Sequence, residues 1–297
     1  MDQILHDDLL TWLTTNGYPA TSQLSPLQPG LGSNEIWKLD PGPAGATLIV
    51  RVFGFGHEVN ARRERAAMVA ARSDGIPAPD VLMAGLVRNR PVLVTTFMPG
   101  RLAVELLLTS PDSAVTLGTS IGETFGQLHL ITAPPDLERA PGAWPDLAGE
   151  AIDPIRPILA TLPHQDRLLH LDYHPRNVLV EHGTVSGVID WENTHAGPPH
   201  ADVGRTLAIL RVLQLADLVP PAAIPVLEAF GAALVTGHDR ITGPSPAPIA
   251  LMAWGLAMTA VDLGRQAGKP GNAITATALA RLADERDAAI TAALERA

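Results

Sequence analysis

The sequence predicts an α+β protein in which a small antiparallel sheet precedes a larger, mainly helical part. Short β-rich segments separated by Gly and Pro turns fill the chain up to about residue 98. Beyond Gly100, apolar residues recur at helical spacing. The 297 residues, 46% of them apolar, are enough for a large core and for roughly two domains of about 150 residues each. We therefore expect an N-terminal region over 1–98 and a C-terminal region over 99–297.

The N-terminal region begins with an amphipathic helix over 2–16, which carries Leu9 and Leu13 on one side and ends at Asn16-Gly17. Turns at 30–33 and 41–45 then separate β-rich segments, and Ala- and Arg-rich residues predict a helix between Glu58 and Arg72. The remaining predicted strands are 36–39, 47–52, 81–86 and 92–97, the last two forming a pair around Arg88-Asn89-Arg90.

The C-terminal region starts with a helix predicted over 113–131, where Leu117, Ile121, Phe125 and Leu128 have helical spacing. Loops rich in Pro follow over 133–163. Asn177–Val180 and Val185–Ile189 predict a short hairpin across His182-Gly183. The stretch 201–297 is predicted to be helical, with breaks near Pro220-Pro221 and at 243–248.

Composition excludes several classes of protein. The chain has 21 basic and 31 acidic residues, a net charge of −10, which opposes binding to nucleic acid. It has no Cys, which excludes disulfides, thiolate metal sites and a Cys nucleophile. The N-terminus lacks the basic and apolar segments of a secretory signal, and the longest charge-free apolar stretch, near 249–261, is too short to span a bilayer. A cytoplasmic protein with no membrane partner is the expectation.

The acidity is concentrated in the middle of the chain. Residues 100–195 hold five basic and thirteen acidic side chains, a net charge of −8, whereas the flanking thirds are each close to −1. Two explanations are open, namely ordinary solvation of surface helices and a site for cationic groups or metal ions.

One segment carries a pattern typical of phosphoryl transfer. It has the spacing His170-x-Asp172-x4-Asn177, followed after the predicted hairpin by Ile189-Asp190-Trp191. A carboxylate on a tight loop can accept a hydroxyl proton, and an amide oxygen on the same loop can reach a metal. A second carboxylate returned by the hairpin can hold that metal. A base and oxygen ligands for Mg²⁺ are the groups that phosphoryl transfer from Mg-ATP requires.

This pattern resembles the catalytic loop and metal-binding motif of the aminoglycoside phosphotransferase/choline kinase family, which are small-molecule kinases with a protein-kinase-like fold. The resemblance covers most of the chain and implies a bilobal fold, with an N-lobe over 1–98 and a C-lobe over 99–297. It further implies ATP and Mg²⁺ as cofactors and a small-molecule hydroxyl as the acceptor. By the same resemblance, Asp172 is the catalytic base and Asn177 and Asp190 are the metal ligands.

The N-terminal third is similar to the nucleotide-binding part of that family. Gly30, Gly32 and Ser33 look like its nucleotide loop, and Arg51 stands on the strand that carries its phosphate-contacting cation. Glu64 in the following helix is then the expected partner of Arg51, with Glu58 as the alternative. The stretch from Leu93 to Gly100 looks like the hinge, where the Thr96 carbonyl and the Met98 N–H would contact adenine.

In the C-terminal part, the helix ending in Gln127-Leu128-His129 resembles the one that precedes the family's catalytic loop. The stretch 197–202 resembles a G-D-P-x-x-D element, whose final residue, here Asp202, anchors that loop. Four positions depart from the family pattern or from that of protein kinases: Leu171 and Arg176 replace Gly, Arg51 replaces the Lys of protein kinases, and Pro198 replaces Asp. Asp172, Asn177 and Asp190 remain, which favours an active kinase over the alternative, an inactive nucleotide-binding pseudokinase with a regulatory role.

Each candidate also has a simpler interpretation. Asp172 could cap a loop, Asn177 could serve a turn, and Arg51 could be a surface charge. His170 is expected to bond loop backbone, whereas His174 suits either a γ-phosphate contact or a structural role. Four residues separate these two His, as in a zinc-binding H-E-x-x-H helix, but Pro175 and the absence of Glu between them exclude that motif.

The acceptor stays open at the level of sequence. The acidic middle third favours a cationic acceptor such as an aminoglycoside, an amino sugar or choline. The final third is nearly neutral and apolar around Trp254, which suits a macrolide-like compound, an amino alcohol or a sugar equally well. For Trp144, Trp191 and Trp254, core packing is the expected use, with a place in a substrate pocket as the alternative.

Overall fold

A computed structural model describes residues 3–19, 21–27, 34–42, 45–137, 143–266 and 274–297. Its N-terminal part is a five-stranded antiparallel sheet in the order β1-β2-β3-β5-β4, with one helix before the sheet and one inserted between its strands. These elements are α1 (Gln3–Thr15), β1 (Gln23–Pro26), β2 (Glu35–Asp40), β3 (Leu48–Val52), α2 (Glu58–Ser73), β4 (Val81–Val87) and β5 (Arg90–Thr96).

The two helices use the sheet differently. Leu5, Leu9 and Leu13 of α1 form one apolar cluster with Trp37 and Val50 of the sheet. The buried face of α2 instead joins a second cluster that extends into the C-terminal region. Because side chains alternate along a strand, β3 directs Val50 to the α1 cluster and the neighbouring Arg51 away from it.

The C-terminal part is mainly helical, as predicted, and contains two short sheets, β7 with β10 and β6-β8-β9. Its elements are β6 (Arg101–Leu102), α3 (Ala103–Thr109), α4 (Ala114–Leu128), α5 (Arg156–Ala160), β7 (Arg167–Leu169), β8 (Val178–Glu181), β9 (Thr184–Val188), β10 (His195–Gly197), α6 (Pro199–Leu215), α7 (Ile224–Thr242), α8 (Pro248–Gln266) and α9 (Ala276–Glu295).

Sequence periodicity missed four strands, β1, β6, β7 and β10, which are only two to four residues long. Such short segments are held by pairing with distant strands and carry too few residues for a period to be recognised. The predicted hairpin is present as β8 and β9, and the predicted strand pair is present as β4 and β5. The division of the chain between residues 98 and 99 remains a prediction.

Helices α4 and α7 pack with their backbones in direct contact. A Cβ atom placed on Gly122 would overlap the carbonyl oxygen of Leu234, and one on Gly237 would overlap that of Thr119. Glycine is therefore required on both helices for this close approach. As a consequence, His129 at the C-terminal end of α4 meets His238 in the last turns of α7.

The two parts share a core around the segment that carries the chemical pattern. Phe53 and Met68 from the N-terminal part belong to the same buried cluster as Phe125, Tyr173 and Trp191. The Val188 N–H also donates to the carbonyl of Pro77 at 2.8 Å. Trp144, Trp191 and Trp254 are all buried, in agreement with their predicted place in the core. Among the described residues, no helix has the length and apolar character needed to cross a membrane.

Candidate active site

The loop between β7 and β8 brings Asp172 and Asn177 together. The Asn177 side-chain amide donates to Asp172 Oδ2 at 2.8 Å and to the Asp172 backbone carbonyl at 3.0 Å. The Asn177 backbone N–H donates to the His174 carbonyl at 2.8 Å, and the Asn177 carbonyl accepts from the Ile189 N–H at 2.9 Å. The five-residue spacing therefore closes a tight loop and ties it to the end of β9.

Asp172 is an ionised carboxylate at the mouth of this loop. Burial alone would raise the pKa of Asp172, but His174 and Arg205 oppose this and lower it to about 2. His174 Nε2 lies 3.4 Å from Asp172 Oδ1, and the Asp172 side chain is 22% exposed. The carboxylate is therefore both charged and accessible at neutral pH.

Asp190 follows β9 and faces Arg51 across the two parts of the chain. Its backbone is left-handed, with φ of 65°, a conformation that Asp tolerates better than most residues. Arg51 Nη2 lies 2.8 Å from Asp190 Oδ1, and the Asp190 side chain remains 40% exposed.

Arg51 is buried on β3 and pairs with Glu64, as predicted. The distance from Arg51 Nη1 to Glu64 Oε1 is 2.5 Å. Glu64 lies on the buried face of α2 with Ala61 and Met68, whereas Glu58 stands in the first turn of that helix. Burial raises the pKa of Glu64, and the Arg51 guanidinium opposes that rise.

A third carboxylate, that of Glu192, lies beside Arg51 and was not singled out from the sequence. Its Oε2 is 3.9 Å from Arg51 Nη2 and accepts a hydrogen bond from Asn34 Nδ2 at 3.0 Å. Burial raises the pKa of Glu192. Glu192 could have been proposed from the sequence because it stands two residues after Asp190. Arg51, Glu64, Asp190 and Glu192 are called the front cluster below.

His170 has the structural role expected of it. Its Nδ1 accepts from the Asp172 backbone N–H at 3.2 Å, so its Nε2 carries the proton and donates to the Ile189 carbonyl at 3.1 Å. Burial lowers the pKa of His170, which is fully enclosed. The neutral imidazole of His170 thus links the backbone of Asp172 to that of Ile189, the residue before Asp190.

Asp202, at the start of α6, holds the other side of the loop. Its carboxylate accepts from the backbone N–H groups of His170, at 2.5 Å, and Leu171, at 2.9 Å. Burial raises the pKa of Asp202 to about 6. Leu171, which departs from the Gly of the resembled family, has φ of 57° and is fully buried. Its carbonyl accepts from Arg205 at 3.3 Å, so both its backbone polar groups are held in this conformation.

Two buried imidazoles extend this support away from the loop. His129 Nε2 lies 3.2 Å from Asp202 Oδ2, and His129 Nδ1 lies 2.9 Å from His238 Nε2. Burial lowers the pKa of His129 well below its ordinary value. His129, His170, Asp202 and His238 are called the rear cluster below.

The remaining predicted positions are at the hinge and the nucleotide loop. Thr96 ends β5, where its N–H donates to the Asp80 carbonyl at 3.0 Å, and Gly187 of β9 lies against the Met98 side chain. Adenine contacts by Thr96 and Met98 stay a prediction. Gly30, Gly32 and Ser33 lie outside the described residues, and their role stays a prediction too.

The front of the site has the donor set that a hard cation requires. Because the Asn177 amide nitrogen donates to Asp172, its carbonyl oxygen remains as a ligand atom. Three carboxylates surround a single guanidinium, which leaves an excess of negative charge. Carboxylate and amide oxygens are ligands that Mg²⁺ prefers, so these residues fit that ion.

The fold is an antiparallel sheet followed by a helical part. A loop that bears Asp172 and Asn177 lies close to Asp190 and to the Arg51–Glu64 pair. This combination is typical of kinase-like phosphotransferases. The sequence matches the phosphotransferase enzyme family over residues 24–243, and the chain belongs to that family. A search of curated proteins found no match.

Solved structures have the same fold. Aminoglycoside phosphotransferase APH(4)-Ia matches with a TM-score of 0.68 and 15% identity, over 96% of this chain and 98% of that chain. A thermostable mutant of it, in a ternary complex with ADP and hygromycin B, matches with a TM-score of 0.66 and 16% identity, over the same shares. Macrolide 2′-phosphotransferase MphH from Brachybacterium faecium matches with a TM-score of 0.53 and 18% identity, over 96% of this chain and 97% of that chain. At these identities the likeness concerns the fold.

Proposed function

We propose that the protein is an ATP- and Mg²⁺-dependent kinase that transfers the γ-phosphoryl group to a hydroxyl of a small molecule. The observation that carries this proposal is the convergence of Asp172, Asn177, Asp190 and Arg51 from three separate segments, namely the loop after β7, the end of β9 and strand β3. Family membership and the nucleotide in the APH(4)-Ia complex support it.

Asp172 is proposed to orient the acceptor hydroxyl. With its pKa lowered to about 2, it is a weak base in the ground state and a good hydrogen-bond acceptor. In phosphoryl transfer through a loose transition state, the hydroxyl becomes strongly acidic only as its bond to phosphorus forms, so a weak base suffices. The proton then moves from the hydroxyl oxygen to the Asp172 carboxylate. Asn177 keeps the carboxylate oriented through its 2.8 Å bond to Oδ2.

Asn177 and Asp190 are proposed to hold Mg²⁺ through their side-chain oxygens. When bound, this ion offsets negative charge on the phosphate oxygens of ATP. Arg51 is proposed to contact the α- and β-phosphates, with Glu64 holding its guanidinium in place at 2.5 Å. Since Arg51 Nη2 now bonds Asp190, nucleotide binding requires these two side chains to share or exchange partners.

The proposed chemistry requires only that the acceptor carry a hydroxyl group, and it does not select a class of compound. The APH(4)-Ia mutant is named as an aminoglycoside phosphotransferase in complex with hygromycin B, and MphH is named as a macrolide 2′-phosphotransferase, so both acceptor classes are named for proteins of this fold. The net charge of −8 over residues 100–195 suits a cationic acceptor. We include both classes among the candidates.

The test is release of ADP measured over aminoglycosides, macrolides, choline, homoserine and sugars, with the wild type and two site variants. Asp172→Asn keeps the shape of the side chain, and we expect kcat to fall by about 10²–10⁴-fold while ATP still binds. Asp190→Ala is expected to abolish binding of ATP in the presence of Mg²⁺, measured by calorimetry. Asp166→Asn, at an exposed Asp paired with His164, is the matched control and should behave as the wild type.

Full turnover by Asp172→Asn would contradict its assignment as the base. Tight ATP binding by the wild type without turnover of any acceptor would favour the alternative, a nucleotide-binding regulatory protein. Turnover with one acceptor class alone would assign the substrate.

A further inference from the structure

A second group of metal-ligating side chains lies behind the catalytic loop, at the contact between α6 and α7. His200 stands in the first turn of α6, and His238 and Asp239 stand in the last turns of α7. One donor atom from each of these three residues lies within 4.8 Å of the other two. None of them belongs to the site proposed above for Mg²⁺.

Asp239 Oδ1 lies near both imidazoles, at distances that approach those of a tetrahedral metal site. His238 Nδ1 is 3.3 Å from Asp239 Oδ1, and His200 Nε2 is 3.9 Å from the same oxygen. A tetrahedral ion with bonds of about 2.0–2.1 Å places its ligand atoms roughly 3.3–3.5 Å apart. Side-chain rotations of His200 and Asp239 that shorten the longer distance would bring these ligand atoms toward that geometry.

The hydrogen-bond chain of the rear cluster leaves a lone pair on His238 pointing into this group. The Asp202 carboxylate accepts at both oxygens, so His129 Nε2 carries the proton between them. His129 Nδ1 then accepts from His238 Nε2 at 2.9 Å, which leaves His238 Nδ1 unprotonated. That nitrogen faces the Asp239 carboxylate, which is another acceptor, so its lone pair can take a cation or the hydroxyl proton of Thr242.

Neighbouring oxygens can bond to the imidazoles when no cation is bound. Thr242 Oγ1 lies 3.1 Å from His238 Nδ1, and the Gly243 carbonyl lies 3.0 Å from His200 Nε2. Ligation through His200 Nε2 requires its proton to reside on Nδ1 instead. The Asp239 side chain is 27% exposed and that of His200 is 13% exposed, so an ion can enter from solvent, whereas His238 is fully buried.

We propose that His200, His238 and Asp239 form a binding site for a divalent transition-metal ion, with Zn²⁺ as the probe of choice. Two imidazoles and a carboxylate are a ligand set that Zn²⁺ takes, with an oxygen in the fourth position, whereas Mg²⁺ and Ca²⁺ prefer oxygen ligands alone. His129 supplies the second-shell hydrogen bond that zinc-bound imidazoles usually make. The ion would join α6 to α7 and, through His129 and Asp202, stiffen the support of the catalytic loop.

The test uses the full chain without an affinity tag, stripped of metal and kept in excess Mg²⁺, so that Asn177 and Asp190 do not compete for the probe. Titration with Zn²⁺ followed by calorimetry should show one site per chain and a rise in Tm. Titration with Co²⁺ should give the intense visible absorption of a four-coordinate ion.

Two variants at the partly exposed ligands, His200→Gln and Asp239→Asn, avoid the fully buried His238. Because loss of a second-shell partner weakens metal binding by about 10–100-fold, loss of a ligand should weaken Zn²⁺ binding by at least about 100-fold. His164→Gln is the matched control, since His164 forms an exposed pair with Asp166 at 3.1 Å and should leave Zn²⁺ binding unchanged.

Absence of a saturable Zn²⁺ site in the wild type would overturn the proposal, and so would equal affinity in His200→Gln and the wild type. Unfolding of the metal-free variants in urea, at the same denaturant concentration as the metal-free wild type, establishes that lost binding is not lost folding. The readout is metal binding and Tm, so it holds whether or not the chain proves to be a kinase.

Discussion

The front and rear clusters flank the same catalytic loop but differ in charge and in exposure. The front cluster sets three carboxylates against one guanidinium, and its Asp190 and Glu192 side chains are 40% and 37% exposed. In the rear cluster His170, Asp202 and His238 are fully enclosed, and the imidazoles of His129 and His170 have lowered pKa values because of burial. Charge is thus concentrated where ligands arrive, whereas the loop is held from behind by neutral imidazoles around the single carboxylate of Asp202.

The largest effect expected from this comparison is on folding stability. Asp202→Ala removes the acceptor of two backbone N–H groups and of His129, all buried. We expect the free energy of unfolding to fall by about 3–5 kcal/mol, because unsatisfied buried donors are expensive. Asp190→Asn, which keeps a residue that tolerates the left-handed backbone, should change it by less than about 1 kcal/mol, since Asp190 is partly exposed. Urea denaturation measures both, and equal losses would show that the two clusters do not differ as described.

The contact between α4 and α7 that brings His129 to His238 can be broken by one methyl group. Gly122→Ala places a Cβ against the Leu234 carbonyl and should destabilise the protein by about 1–3 kcal/mol. Gly264→Ala is the matched control, because Gly264 lies in α8 with open space around it. There the same change should stabilise by up to about 1 kcal/mol, since Ala is the better helix former. Equal effects in thermal unfolding would mean that the two helices can separate without loss.

The neutral imidazoles of the rear cluster should make stability depend on pH. Burial lowers the pKa of His170 in the folded state. Below the ordinary His pKa of about 6.5, the unfolded chain therefore binds a proton at this residue that the folded chain does not bind. The free energy of unfolding should therefore fall on acidification, by up to about 1.4 kcal/mol per pH unit from this group.

His170→Asn isolates this contribution, because the other titrating groups, Asp202 among them, are common to both proteins. Urea unfolding at about pH 7 and about pH 5.5 should show a smaller loss in the variant than in the wild type. A steeper loss in the variant would reverse the assigned sign and would mean that His170 is protonated in the folded protein.

The smallest effect is expected at the surface of the same pair of helices. Glu123 and Arg240 form an exposed ion pair between α4 and α7 at 2.9 Å, with side chains 42% and 57% exposed. Glu123→Gln should change the free energy of unfolding by less than about 0.5 kcal/mol, because exposed pairs are screened by solvent. A loss as large as that of Gly122→Ala would show that charge, not backbone packing, joins these helices.

The catalytic loop could be predicted from the sequence because its residues are close in the chain. Asp172 and Asn177 are five residues apart, and a short hairpin returns Asp190 to them, so local spacing alone suggests their meeting. The pairing of Arg51 with Glu64 was also accessible, because Glu64 shares helical spacing with the buried Ala61 and Met68.

The support behind the loop could not be predicted in the same way. His129 and His238 are separated by 109 residues, and His129 and Asp202 by 73, so no sequence period connects them. Their contact depends on the glycine-mediated approach of α4 and α7, which is a property of packing. The left-handed backbone of Leu171 was likewise hidden, since the departure from Gly was visible in the sequence but the acceptor and donor that hold it were not.

The place of Asp202 in the chain also has a consequence for the order in which the protein is built. The backbone N–H groups of His170 and Leu171 bond to a side chain that follows them by about thirty residues in the chain. The hydrogen-bond partner of His129 in α7 follows it by more than a hundred residues. During synthesis the backbone N–H groups of His170 and Leu171 therefore have no native acceptor until α6 has left the ribosome, and the hydrogen-bond chain behind them is complete only after α7. We expect the segment bearing Asp172 to acquire its final shape late in folding, after the sheet and α4 have formed.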